Sequence, residues 1–347
     1  DYLDLVAVSI ASDIVPINGE NRILAYFGLQ KLNQNPRPGL QALKEISAIK
    51  NDLDVGGIVF TLGPRINAAG RVAHAKAAVE LLIAPTEEIA NMLAEKINVK
   101  NDLRREFDLS ITEEAIAMIE GDEALRTAKS TVLFKKTWHK GVIGIVAARC
   151  VEKYYRPTVI LTESNDRITG SARSVRDFDL YSAIYECRDL LEKFGGHKYA
   201  AGLTLERSNL DAFQRKFEEV VSSSITEDMR TPVVEVDLVI PLDAVNGKFN
   251  NILKQMGPFG PENTKPVFEA RNLYVVNSLS NFKERHVRFL VGQDGSESVL
   301  QTVGFDMVEY YSALANGDRF RMAFTVEENS YNGITSLQLR AKEIKFE

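Results

Sequence analysis

The chain has 347 residues, 45% of them hydrophobic and 26% charged, and a formal net charge of −6. That length exceeds one ordinary core and predicts two or three domains, and the composition excludes a disordered or fibrous chain. No apolar run reaches the roughly 20 residues that a membrane-spanning helix needs. Cys150 and Cys187 have neither metal-ligand spacing nor the density of a disulfide framework, so a reducing cytoplasm is the simplest setting. The acidic balance argues against a wholly basic nucleic-acid coat but not against a nuclease, since binding depends on where the 42 Lys and Arg cluster. Asp1 stands where an initiator Met would be, with no signal peptide, which reads as a piece of a longer protein.

The apolar run Leu3–Val8 reads as a buried strand of a parallel sheet ending before Asp13 and Pro16. A helix follows over about Asn21–Asn33, and Asn35–Gly39 is a turn. From Thr86 to about Glu120 neither proline nor glycine interrupts a helical pattern of Ile89, Leu93, Ile97, Leu103, Phe107, Ile111 and Met118. Thr86 is the expected N-cap, with Glu87 and Glu88 favourable in the first turn. Such a helix spans roughly 50 Å and suits a strut between domains better than a core element. Strands at Thr131–Phe134 and Thr158–Leu161 alternate with helices at Val142–Tyr155, about Leu180–Phe194 and Leu210–Ser222, making a small α/β domain. After Met229 the pattern turns all-β. Strands are expected at Val233–Leu238, Val267–Leu279, Arg285–Val291, Leu300–Phe305, Arg319–Thr325 and Ser336–Ile344, with turns at Asp294-Gly295 and Asn332-Gly333. With one helix near Phe249–Met256, these fit a small barrel of the OB type.

Several segments could carry chemistry. Asp13, just beyond the opening strand, stands where open α/β sheets place ligands; it is either a metal carboxylate or a turn or N-cap aspartate. In Gly63–Arg71, Arg65 and Arg71 with Asn67 between them offer fork-shaped donors for phosphate oxygens among small residues that permit close approach; solvated arginines on a helix start are the alternative. Ser171, Arg173 and Ser174 make a compact anion site. Gly195 and Gly196 free the backbone for close approach to a ligand beside His197, ahead of an expected Ala-Ala-Gly helix at 200–202. His139 stands where a helix opens, a position that favours anions or simply a surface residue. On the last domain's hairpin, Lys283, Arg285 and Arg288 beside Phe282, with Tyr331 at a second turn, could stack bases and track phosphates, or be a solvated rim.

Taken together these segments resemble the RecJ type of the DHH phosphoesterase superfamily, in order and over almost the whole chain. Residues 4–22, DLVAVSIASDIVPINGENR, resemble the family's last metal-binding motif, with Asp13 on its aspartate and Ser9-Ile10 where Gly-Thr is usual. GPRINAAGR, GSARS, GGHKYAAG and MGPFGPEN (256–263) resemble the inter-lobe segment, the paired motifs of the DHH-associated domain and the OB-type domain. The implied fold is α/β plus all-β: the end of a DHH-type α/β domain (1–62), an inter-lobe segment and long connecting helix (63–122), a small α/β DHH-associated domain (123–228) and an OB-fold barrel (229–347).

The resemblance implies an exonuclease that degrades single-stranded DNA from the 5′ end to mononucleotides, with Mn²⁺ or Mg²⁺, in repair and recombination. Arg65, Ser171, Arg173, Ser174 and His197 would hold the terminal phosphate and nearby backbone, and the long helix would separate the lobes. Single-stranded DNA is the implied partner, with a single-strand-binding protein or a helicase as further candidates, no membrane, and a monomer. The Asp-His-His triplet of the family is absent: the four histidines are His74, His139, His197 and His286. A two-metal phosphodiesterase needs several converging ligands, so this chain is expected to bind DNA without cleaving it. Competing readings are a DHH-type phosphodiesterase of short oligonucleotides or cyclic dinucleotides, a non-catalytic single-strand-binding module, and a lobe like that of alanyl-tRNA synthetases.

Overall fold

The computed structural model describes residues 1–49, 51–72, 74–331 and 333–346. Among these, helices alone fill the chain before residue 128: α1 (Leu3–Ser12), α2 (Gly19–Gln34), α3 (Pro38–Ile46), the single turn α4 (Val55–Gly57), a π-helical stretch over Ile58–Leu62, α5 (Gly63–Val72), α6 (Lys76–Leu82), α7 (Glu87–Glu120) and α8 (Glu123–Thr127). An alternating region follows: β1 (Thr131–Phe134), α9 (Ile143–Tyr154), β2 (Thr158–Ser164), β3 (Arg167–Arg173), α10 (Leu180–Tyr185), β4 (Lys193–His197), β5 (Ala200–Leu205), α11 (Leu210–Ser224) and α12 (Glu227–Arg230). The last part holds β6 (Leu238–Val239), α13 (Gly247–Met256), β7 (Phe268–Phe282), β8 (His286–Gln293), β9 (Leu300–Gly304), α14 (Tyr311–Asn316), β10 (Phe320–Tyr331) and β11 (Ile334–Phe346). No helix among the described residues is long and apolar enough to cross a membrane.

Five expectations are corrected. The opening strand is a helix: its buried positions Asp4, Ala7, Val8 and Ala11 recur at helical spacing, and a short apolar run does not by itself distinguish the two. The helix expected over Leu180–Phe194 stops at Tyr185, and Gly195, Gly196 and His197 belong to β4, where pairing with β5 overrides local preference. The Ala-Ala-Gly segment is likewise strand, not helix. Of Val233–Leu238 only Leu238 enters a strand, the two-residue β6. The long helix runs as expected, with the Thr86 hydroxyl accepting from the Ile89 N–H (3.4 Å). It is nevertheless a core element: its buried face is Ala90, Ala94, Ile97, Asn101, Asp108, Ile111, Ala115 and Ile119, packed on α3, α5 and α6 and then on α9.

The chain forms two compact units, one of residues 1–36, 51–60 and 233–347, the other of residues 37–50 and 61–232. In the first, β7, β8 and β9 pair antiparallel in sequence, β9 pairs parallel with β11, β11 antiparallel with β10, and β10 returns to β7. This closed order, first-second-third-fifth-fourth-first, with α14 between the third and fourth strands, is that of an OB-fold. Val287, Phe289 and Val291 point into the core and Arg288 out of it.

In the same unit α1 lies on α2 so closely that a Cβ on Gly28 would stand 2.3 Å from the Leu3 carbonyl oxygen. The segment Met256–Asn263 clasps the link between these helices. The Ile17 N–H donates to the Pro261 carbonyl (2.7 Å), and the Arg22 fork donates to the carbonyls of Gln255, Met256 and Gly257 at the end of α13. A cation there also favours the helix C-terminus.

In the second unit the sheet order is β1-β2-β3-β5-β4. One face packs Val159, Leu161, Ala172 and Leu203 against Phe213 and Phe217 of α11. The other packs Leu133 and Ile160 against α9 and the end of α7. Glu218 of α11 ties down the start of β1, accepting from the N–H groups of Lys129 (3.0 Å) and Ser130 (2.8 Å) and from the Ser130 hydroxyl (2.6 Å). Burial pushes its carboxyl up, but the Ser130 and Lys129 donors prevail and hold it below the usual range.

Two outcomes follow. Gly28→Ala forces α1 and α2 apart and lowers stability by about 1–3 kcal/mol in denaturant unfolding. Glu218→Ala strands the Ser130 and Lys129 donors and costs about 1–3 kcal/mol near neutral pH. Because the folded carboxyl is depressed, its contribution is complete above the ordinary carboxylate range and disappears as pH falls through the folded value. The gap between wild type and Glu218→Ala in thermal unfolding therefore narrows in acid.

Candidate nucleic-acid interface

The face of the second unit's sheet that α9 covers is covered only in part. Register places Arg173 of β3, Ala200 of β5 and His197 of β4 in one row, and Ser171, Gly202 and Gly195 in the next. Side chains two apart on a strand share a face, so the two rows form a strip with almost no side chains on β5 and β4. Gly202 and Gly195 are exposed, and a Cβ on Gly195 would meet nothing within 4 Å. Gly196 has a different role. Its φ of +151°, and the 2.3 Å that would separate a Cβ there from the Ala200 carbonyl oxygen, require glycine for the hairpin itself. β4 is also the sheet edge, with backbone groups on its outer side.

Along the inner side of this strip stands the first turn of α9. Val142 gives it no side-chain cap, so its N–H groups and dipole favour an anion. Gly144 sits so near β3 that a Cβ would lie 2.8 Å from Ser171 Oγ and 3.1 Å from Arg173 Nη2. Arg173 donates to Ser171 Oγ (3.2 Å) and to the Ala172 carbonyl (2.8 Å). Burial, then the charge of Arg71, lowers its pKa below the ordinary arginine value. Arg71 reaches the same place from α5 by donating to the Gly141 carbonyl (3.2 Å); burial lowers it and Asp108 opposes that. The result is a strip with free backbone, two guanidinium groups and a serine hydroxyl, the donor set of an anion site.

The remaining expected residues are distributed around it. His197 is exposed at the strip's end; its Nδ1 accepts from the Tyr199 N–H (3.3 Å), which turns Nε2–H outward. Ser174 is next door, but its hydroxyl donates to the Phe178 carbonyl (2.9 Å) and its N–H to Tyr199, so it builds the loop. His139 stacks on Phe107 (5.0 Å, 9°) and accepts at Nδ1 from the Gly141 N–H (3.1 Å). Arg65, on α5, donates to Asn98 Oδ1 of α7 (3.0 Å) and to the Thr61 carbonyl (2.9 Å), and Asn67 is exposed on α5.

In the barrel unit, Lys283 is exposed in the tight β7–β8 turn, and Arg285 pairs with Asp306 (2.8 Å). Arg288 faces outward in a row with Val303 and Arg340. The Arg340 guanidinium lies 5.0 Å from the ring of Phe305, which meets Phe282 and His286 edge-on. The backbone of Tyr331 ends β10; its side chain and Asn332 lie outside the described residues.

Asp13 follows no strand. It is the exposed C-cap of α1. Among the described residues no three His, Cys, Asp or Glu side chains converge as metal ligands, so these residues do not by themselves fit a two-metal centre. Sequence reasoning also missed residues behind the strip. Asp108, almost fully buried, accepts from Arg149 with both oxygens (2.8 Å each) and lies 3.7 Å from Arg104. The signal for them was present: polar Asn101 and Asp108 fall on the buried face of α7, where Ile97 and Ile111 predict apolar neighbours. Phe305 and Arg340 were missed because their pairing is set by barrel register.

Comparison with known proteins agrees with this architecture. Residues 127–223 match the family model of the DHHA1 domain, and residues 236–343 that of the RecJ OB domain. The single-stranded-DNA-specific exonuclease RecJ of Bacillus subtilis is 34% identical over an alignment that covers 99% of this chain and 44% of that protein. Its namesake from Salmonella typhimurium is 30% identical over 99% of this chain and 61% of that protein. The chain thus spans about half the length of the curated relatives it matches. The crystal structure of RecJ from Thermus thermophilus in complex with Mn²⁺ superposes with a TM-score of 0.84 at 26% identity, over 99% of this chain and 49% of that one. By its motifs, its two matched domains and its fold, the chain is similar to part of RecJ, carrying a DHHA1 domain and a RecJ OB domain in that order.

Proposed function

We propose that this chain is the substrate-holding part of an exonuclease that degrades single-stranded DNA from its 5′ end to mononucleotides. The reaction would use Mn²⁺ or Mg²⁺, in cytoplasmic DNA repair and recombination. One observation carries the reading: the glycine-floored strip of Ser171, Gly202 and Gly195, bounded by the first turn of α9, Arg173, Arg71 and His197. An anionic chain end can lie on that strip with its phosphate against hydroxyl, guanidinium and helix N–H donors while nothing bulky pushes it away. Gly195 and Gly196 let the backbone approach, and His197 donates from Nε2. Arg65 and Asn67 belong to the same face of the reading only as flanking contacts, and Ser174 shapes the loop. His139, on its Phe107 shelf, borders the strip through Gly141.

In the barrel unit Lys283, Arg285 and Arg288 would track phosphates while Phe282 and Phe305 offer faces for bases, the mode of OB-folds on single strands. The relatives' specificity for single-stranded DNA supports this assignment. In relatives, RecJ is found with Mn²⁺ or Mg²⁺. Asp13 would be one ligand of such a centre, the others lying outside the chain's own residues. For the chain by itself the reading is therefore binding without cleavage.

Fluorescence anisotropy against four ligands tests it: 5′-phosphorylated single strand, the same strand with a 5′-hydroxyl, blunt duplex and a dinucleotide. The phosphorylated single strand binds tightest, with affinity falling as salt rises by a log–log slope of roughly −0.7 per phosphate contacted. Equal affinity for duplex contradicts the substrate assignment. Gly195→Val keeps its melting temperature, because its Cβ meets open space, yet weakens single-strand binding at least about tenfold, ~1.4 kcal/mol; unchanged binding contradicts the strip. With Mn²⁺ and the phosphorylated strand the chain shows no turnover, and robust release of mononucleotides would overturn the division between holding and cutting.

A further inference from the structure

Behind the strip, cations outnumber the carboxylate they surround. Among the described residues the side-chain hydrogen bonds that Asp108 accepts come from Arg149, two of 2.8 Å, and its side chain is 2% exposed. Arg104 nevertheless approaches the same carboxylate to 3.7 Å, with 12% of its side chain exposed. It donates to Asn101 Oδ1 (3.1 Å), and its Nε is buried with no hydrogen-bond partner among the described residues. Arg71 comes in from α5 and gives one N–H to the Gly141 carbonyl. Arg105 adds a further positive charge to Arg104, and Glu152 adds a negative one to Arg149; Asp102 faces Arg65. A structural ion pair needs one guanidinium per buried carboxylate. Arg149 and Arg71 are exposed and Arg104 is not, so it is at Arg104 that crowded like charges raise the free energy unless an anion joins them.

We propose that Arg71, Arg104 and Arg149, gathered around Asp108, form a second phosphate subsite that takes an internal phosphate of the bound single strand. The proposal rests on the reading of Ser171 and Arg173 as the terminal-phosphate site, to which Arg71 links it. Arg71 is held beside the start of α9 by its bond to the Gly141 carbonyl (3.2 Å), and its charge acts on both Arg173 and Arg104, so it stands as the link between the two groups. Asp108 is the positioning residue: by fixing Arg149 from α9 and Arg104 from α7 it aims both forks before the ligand arrives. Charge-assisted contacts of this kind discriminate by roughly tenfold or more.

The test uses the full chain and 5′-phosphorylated oligothymidylates, each carrying one neutral methylphosphonate at a successive linkage from the 5′ end. One linkage among those nearest the 5′ end weakens binding roughly tenfold, and in Arg104→Gln that penalty vanishes because the contact is already lost. Arg71→Gln, more exposed and less able to disturb folding, erases the same penalty. Small, uniform losses at every linkage overturn the proposal, as does a penalty that persists in both variants. If a 5′-phosphate end binds no better than a 5′-hydroxyl end, the terminal-site reading falls and this proposal with it. If the end effect is intact but no linkage stands out, only this proposal falls. Inorganic phosphate is the remaining arm. A rise in melting temperature that Arg104→Gln abolishes, with no sensitive linkage, would mark a free-ion site and overturn the strand assignment.

Discussion

The rest of the site depends on how tightly the first turn of α9 seats on β3. Gly144 leaves no room for a Cβ before Ser171 Oγ and Arg173 Nη2. That approach brings the uncapped N–H groups of a helix within reach of the same ligand as a strand's hydroxyl and guanidinium. It also fixes what lies behind: Gly141, three residues earlier, receives Arg71, and Arg149, further along α9, reaches Asp108 on α7. A longer side chain at Gly144 would lift the helix and separate all of these groups together.

The same economy of side chains operates on the strip. Gly195 and Gly202 are exposed and face open space or nothing closer than 3.8 Å, so neither is demanded by packing. Gly196 and Gly28, by contrast, stand where any Cβ would collide with backbone. The distinction separates glycines kept by the fold from glycines whose bareness suits a ligand, and it is visible only once the neighbours are known. In the barrel unit the Met256–Asn263 segment, one of the motifs that carry the family resemblance, holds the chain's first helices in place through Arg22, Asn263 and Ile17.

Much of this was legible in the sequence because local rules suffice for it. Thr86 and the unbroken pattern after it mark α7, and alternating Val287, Phe289 and Val291 mark a barrel strand. Ser171, Arg173 and His197 stood out because their residue types bind anions whatever their setting. What was not legible is set by tertiary partners. Leu3–Val8 is apolar enough for either strand or helix, and only the burial of Ala7 and Ala11 against neighbours decides for helix. Gly195-Gly196-His197 becomes a strand because β5 pairs with it. Asp108 looked like one more charge on a long helix, and its importance follows from Arg149 arriving from a segment some forty positions away.

On the proposed reading, a strand's 5′ end rests on the strip and the α9 turn. Amide hydrogen exchange of the chain, with and without 5′-phosphorylated single-stranded DNA, measures this directly. Protection is predicted in the Gly195–Gly202 hairpin and the first turn of α9, with α11 on the opposite face of the sheet unchanged. Protection confined to other surfaces, with those two segments unaffected at saturating DNA, would contradict it.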